Sequence, residues 1–174
     1  LSPAELGWRA GNTALEQRQF EQAVAQYDAA IAADPQFALA YVSRGNAYLG
    51  LSNYDAAISD YSNALAMDGT LAEAFRARGE LYWSIGDMTN AEQDFATLVQ
   101  LRPDDSADAS RYAFLLYELG RHGELEQFYR NAYSADHRRD WALLGWLTSV
   151  QQSRGVSAMQ EQSLQLYDSG DQSL

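Results

Sequence analysis

The 174-residue chain contains no cysteine, so disulfides and thiolate-bound metals are excluded. It contains no lysine either. All twelve basic residues are arginines, set against 24 carboxylates for a formal net charge of −12. A nucleic-acid binder needs a cationic footprint to displace phosphate counterions, and an anionic membrane surface likewise attracts cationic segments. Neither partner suits this chain. No apolar run reaches the length of a membrane span. Histidine occurs only as His122 and His137, and proline only as Pro3, Pro35 and Pro103. Prolines this sparse are compatible with an all-helical chain broken at set places. The first residue is Leu1 rather than methionine, which fits an exported, processed chain and a trimmed cytoplasmic one equally well.

What is present is a period. Hydrophobic residues make up 47% and charged residues 21%, ordinary values for a folded domain. Gly11, Gly45 and Gly79 recur every 34 residues, as do Ala23, Ala57 and Ala91, and again Tyr27, Tyr61 and Phe95. A fixed period of this length marks a stacked repeat array. The copies read as 4–37, 38–71 and 72–105, each two amphipathic helices around an inner turn: Gln17-Arg18-Gln19, Ser52-Asn53 and Gly86-Asp87. Pro35, Gly69 and Pro103 close them, proline because it lacks an amide donor and disfavours helix in the residue before it. Small residues belong where paired helices cross closely, and the large aromatic fills the gap to the next unit.

Residues 106–139 keep the phase with Ala113, Gly120, Leu125, Tyr129, Ala132 and His137 and read as a fourth, divergent copy. Asp140 then reads as the N-cap of an unusually apolar helix carrying Trp141, Leu143, Leu144, Trp146, Leu147 and Val150. Gly155 breaks it, and Val156, Met159, Leu164 and Tyr167 predict a last short amphipathic helix. The expected organisation is an array over 1–139, capping helices over 140–168 and a polar tail over 169–174, since a solenoid needs ends with a wet outer face.

Residues 4–105 resemble three consecutive tetratricopeptide repeats. That family carries an aromatic near the fourth position, small residues at the eighth, twentieth and twenty-seventh, an aromatic at the twenty-fourth and proline at the thirty-second. The second copy supplies Tyr41, Gly45, Ala57, Tyr61 and Ala64 and departs at Gly69. The third supplies Phe75, Gly79, Ala91, Phe95 and Pro103, with Leu98 for the last small residue. The first supplies Gly11, Ala23, Tyr27, Ala30 and Pro35, with Gly7 for the aromatic. The resemblance implies an all-α, right-handed α-solenoid of helix-turn-helix repeats.

It also implies a concave groove, lined by the first helix of each pair, that receives a partner peptide or helix. The groove positions hold Glu5, Trp8, Asn12, Leu15 and Glu16, then Leu39, Val42, Asn46 and Leu49, then Glu73, Arg76, Glu80 and Trp83. Of these, Trp8, Asn12, Leu39, Val42, Asn46, Leu49, Arg76 and Trp83 are the expected partner contacts, because tryptophan and arginine dominate binding hot spots. The packing alternative has Trp8 sealing the N-terminal end and Trp83 resting on the next repeat. One subgroup of the family grips chaperone C-termini through five lysine, asparagine and arginine positions. Here Asn12 alone matches, and Trp8, Ser43, Glu73 and Ala77 hold the rest. An apolar or basic segment fits the net charge better than an acidic one.

No nucleophile elbow, phosphate-cradling loop or metal-ligand helix motif is found. Asp104, Asp105 and Asp108 cluster, yet a helix cap at Asp105 or Ser106 explains them without calcium. The reading is a non-catalytic scaffold with no cofactor and no metal. Its alternative is self-association through Trp141, Leu144, Trp146 and Leu147, whose apolar character suits an interface. A third reading lets Met159, Leu164 and Tyr167 fold back as an internal ligand.

Overall fold

The structure is a computed structural model describing residues 1–155, 158–159 and 161–163. The chain runs through α1 (Pro3–Glu16), α2 (Phe20–Ala33), α3 (Ala38–Gly50), α4 (Tyr54–Met67), α5 (Ala72–Ser84), α6 (Met88–Leu101), α7 (Ser106–Glu118), α8 (His122–Ala135) and α9 (Asp140–Arg154). Residues 158–159 and 161–163 are also helical, and no strand occurs among the described residues. Val156, Leu164, Tyr167 and the tail over 169–174 lie outside the described residues. The fold is all-α, of helix-turn-helix repeats.

The period is visible in the backbone itself. Helices begin at residues 20, 54, 88 and 122, and again at 38, 72, 106 and 140. The inner turns share one slot in the left-handed region: Arg18 (φ 59°), Ser52 (58°), Gly86 (84°) and Gly120 (69°). Glycine takes that conformation without a steric penalty, whereas arginine and serine hold it at some cost. At the N-terminal end Ser2 and Glu5 form a reciprocal capping box that spans Pro3, the first helical residue. Asp105 caps α7 by accepting from the amides of Ala107 and Asp108.

The chain divides into two compact units, Leu1–Leu101 and Arg102 onward. In the first, α1/α2, α3/α4 and α5/α6 pack as hairpins. α1 touches α3 and α3 touches α5, while α2 and α4 meet at most marginally. The layer of first helices is therefore the tighter one, and the unit curves toward it.

Packing explains the repeated residues, and in one respect differently from the sequence reading. Ala23, Ala57 and Ala91 are fully buried. The glycines, however, make room for a ring rather than for a neighbouring backbone. A Cβ on Gly45 would stand 2.7 Å from the Tyr61 ring and one on Gly79 3.1 Å from Phe95, and Gly11 faces Tyr27 in the same way. Tyr61 then reaches the next pair, sharing a core with Ala74 and Leu81.

Two arginines add a device the hydrophobic pattern does not show. Arg44 on α3 donates through Nε (2.8 Å) and Nη2 (2.7 Å) to both oxygens of Asp60 on α4, and through Nη1 (2.6 Å) to Asp28 on α2. One period on, Arg78 donates to Asp94 at 2.9 and 2.7 Å and to the Ser62 hydroxyl at 2.9 Å. Asp60 and Asp94 are buried. The bidentate fork is the strong form of a charged hydrogen bond, and each arginine ties three consecutive helices together. The hydrogen bonds to Asp60 hold the Arg44 guanidinium protonated still more firmly than usual.

The second unit keeps the phase with different packing. Leu125 stands where Ala23, Ala57 and Ala91 stood, and α7 packs more loosely on α8 than the earlier pairs do on each other. α8 and α9 are close instead, with the Tyr129 ring against Gly145. Tyr133, Ala142, Leu143, Trp146 and Val150 form the core there, joined by Met159. Buried Glu126 accepts from Arg130 (2.7 Å) and Arg154 (2.9 Å). α9 begins at Asp140, so Arg139 and not Asp140 flanks the helix as its N-cap residue. The Asp140 carboxylate sits instead in the first turn, where the helix dipole favours it. α9 starts one period after α7.

Candidate peptide-binding groove

Leu39, Val42, Asn46 and Leu49 fall on one face of α3, at spacings of three and four residues. Leu39 and Leu49 are 41% and 39% exposed, unusual for leucines held in a packed array. Val42 lies beneath them in the core with 7% of its surface exposed, so it has little to offer a partner. Asn46 is exposed, and its Oδ1 accepts from the Tyr61 hydroxyl at 2.8 Å. Asn12 does the same for Tyr27 at 2.7 Å. Each asparagine links the groove face to the buried ring behind it. Burial raises the phenol pKa of both tyrosines, that of Tyr27 to about 12, so both rings are neutral donors at physiological pH.

The tryptophans are more engaged than their groove positions suggested. Trp8 donates its indole N–H to the Ser43 hydroxyl at 2.8 Å and packs on Phe37, with ring centroids 5.8 Å apart. Trp83 meets Phe95 edge-on at 6.4 Å. Both are half-buried, as is Arg76, while Glu16, Glu73 and Glu80 are exposed. Five arginines against thirteen carboxylates give residues 1–101 a formal charge of −8. The surface presented by α1, α3 and α5 is thus a pair of open leucines and an asparagine, edged by indole rings and carboxylates.

The family model described as tetratricopeptide repeat matches residues 9–66 and again 42–106. The chain belongs to the tetratricopeptide repeat family. No curated protein matches it significantly. Among solved structures, the second tetratricopeptide domain of Spaghetti (RPAP3), bound to the HSP90 peptide SRMEEVD, is 33% identical. That match covers 57% of this chain and 93% of that one, with a TM-score of 0.55. The Arabidopsis OM64 tetratricopeptide domain is 26% identical over 67% of this chain and 96% of that one, with a TM-score of 0.63. MamA covers 99% of this chain and 96% of its own at 15% identity and a TM-score of 0.67, which shows shared fold alone. Tetratricopeptide repeats are protein-interaction modules.

In the second unit, Leu144 is 64% exposed while Trp146 is buried in the core, with Trp141 and Leu147 half-buried. The four residues therefore do not make one continuous surface. His122 meets the Tyr117 ring at 5.4 Å and His137 stacks on Tyr133 at 4.8 Å. Asp104 accepts from Arg139 at 2.8 Å, Asp105 caps α7, and Asp108 is fully buried with Arg111 at 3.7 Å. Each has a structural partner. The paired Arg44–Asp60 and Arg78–Asp94 clamps escaped the sequence reading, although a signal existed: both arginines and both aspartates recur at 34 residues.

Proposed function

We propose that the first unit is a non-catalytic scaffold that holds a basic, apolar peptide or helix along α1, α3 and α5. The observation that carries this is the pair Leu39 and Leu49, exposed on one face beside Asn46, in a unit of charge −8. Apolar area gives affinity, and the acidic field selects a cationic segment and speeds its arrival. The relative with the HSP90 peptide binds an acidic sequence. This chain departs from the arrangement for gripping such a tail. Two of the five clamp positions, Trp8 and Ser43, are hydrogen-bonded to one another, and a third is Glu73.

The test is titration of the chain with two labelled, amidated peptides of matched leucine content, one arginine-rich and one glutamate-rich. The basic peptide is expected to bind, more weakly as salt is raised, and the acidic one to show no saturable signal. Equal binding of both, or preference for the acidic peptide, contradicts the reading.

A further inference from the structure

In the first unit α3 packs against α2 and α5 against α4, and the residues at these junctions recur. Ala40 and Ala74 are fully buried, and so, seven residues on, are Ala47 and Leu81. In α1 the same slots hold Leu6, 54% exposed, and Thr13, also exposed. The face of α1 that is built like an internal junction therefore stands open.

Three more slots set the first pair apart from the next two. Tyr41 and Phe75 give way to Gly7, the clamp residues Arg44 and Arg78 to Ala10, and Asp60 and Asp94 to Gln26. All three slots share the side that faces the preceding pair. Arg44 reaches back to Asp28 and Arg78 to Ser62, and the Tyr41 ring lies beside the Arg44 guanidinium at 5.4 Å. A Cβ on Gly7 would stand 3.1 Å from the α2 backbone, so α1 and α2 close tightly and no aromatic ridge breaks the face. Ala29 and Ala33 follow Gln26 at spacings of three and seven residues and extend the face along α2. Both are exposed, as is Ala10.

Leu6, Ala10, Thr13, Gln26, Ala29 and Ala33 are all uncharged, in a unit of net charge −8. An array end that meets water alone is expected to be strongly polar. The chemistry of the face selects what covers it. A second helix like α2 brings a carboxylate for the clamp arginine, and Ala10 offers no guanidinium to receive one. A charged side chain docked there would lose hydration without gaining a counter-ion. A second copy of the same face fits. In a two-fold contact one patch meets itself, so charges near the axis would oppose their own kind. Leucine and alanine pack on themselves, and the threonine hydroxyl and glutamine amide each both donate and accept. Two helices of 14 residues make a face about 21 Å long and about 20 Å wide. That is small beside the roughly 800 Å² per partner of a standard interface, so the contact is weak and concentration-dependent.

We infer that the end face of α1 and α2 is a self-association surface, on which a second copy of the chain docks its own α1 and α2 about a two-fold axis. Trp8 and Asn12 lie on a different face of α1, so the pairing leaves both grooves open.

Sedimentation equilibrium of the full chain from low micromolar to millimolar concentration tests this. The mass is expected to rise from 19.4 kDa toward twice that value and stop there. Leu6→Glu and Ala10→Glu, both at exposed positions, should each weaken the dimer about tenfold or more with the circular dichroism of wild type. Leu144→Ser, on α9, should leave it unchanged. Raised salt should tighten the dimer, because it screens the repulsion between two acidic chains. A monomer throughout would leave the face to a helix of another protein and overturns the inference. Growth beyond two copies overturns the two-fold pairing. A dimer that survives in both folded glutamate variants, or that Leu144→Ser dissociates, overturns the assignment to this face.

Discussion

Replacing Arg44 with alanine is expected to cost about 3–5 kcal/mol of folding stability, because it strands a buried carboxylate. Asp60 is 3% exposed and receives two of the three Arg44 hydrogen bonds. Without the guanidinium it keeps its charge in a place that water reaches poorly, or takes up a proton at a cost. The third bond goes to Asp28, whose side chain is 53% exposed, and solvent screening leaves little loss there. Contacts of the guanidinium with the Tyr41 and Tyr48 rings, at 5.4 and 5.9 Å, disappear as well. Removing both charges, as Arg44→Met with Asp60→Leu, should recover most of the stability, since the penalty belongs to the unpaired ion. Chemical unfolding of wild type, single and double variants reads the comparison. A single variant within about 1 kcal/mol of wild type would mean that the pair is not the clamp described here.

The second large effect concerns binding. Leu39→Ser with Leu49→Ser should weaken a basic, apolar peptide roughly tenfold or more, because about 1–2 kcal/mol of apolar burial on docking is lost. The variant should stay folded by circular dichroism at the temperature of the titration, since each leucine already exposes about two-fifths of its surface. The tryptophan pair is a poorer choice. Trp8 and Trp83 pack on Phe37 and Phe95, so alanine there disturbs the array along with the groove. Unchanged affinity in the folded leucine variant would remove α3 from the contact surface.

Much of the scaffold was legible because the period constrains local structure and packing together. Gly45, Ala57 and Tyr61 meet within one hairpin, and the turn slot from Arg18 to Gly120 is set by backbone sterics that act locally. The arginine clamps were harder to read. Arg44 and Asp60 lie 16 residues apart across a turn, and an apolar pattern says nothing of a bidentate ion pair. For Trp8 the sequence left groove contact and end-sealing both open, because its restraint, the Ser43 hydroxyl, lies 35 residues away.

The most direct test of the account is amide hydrogen exchange on the full chain with and without the basic, apolar peptide. Slowed exchange concentrated in α1, α3 and α5, with α2 and α4 little changed, is the predicted result. Protection centred on α2 and α4, or no change in α3 at saturating peptide, would contradict it.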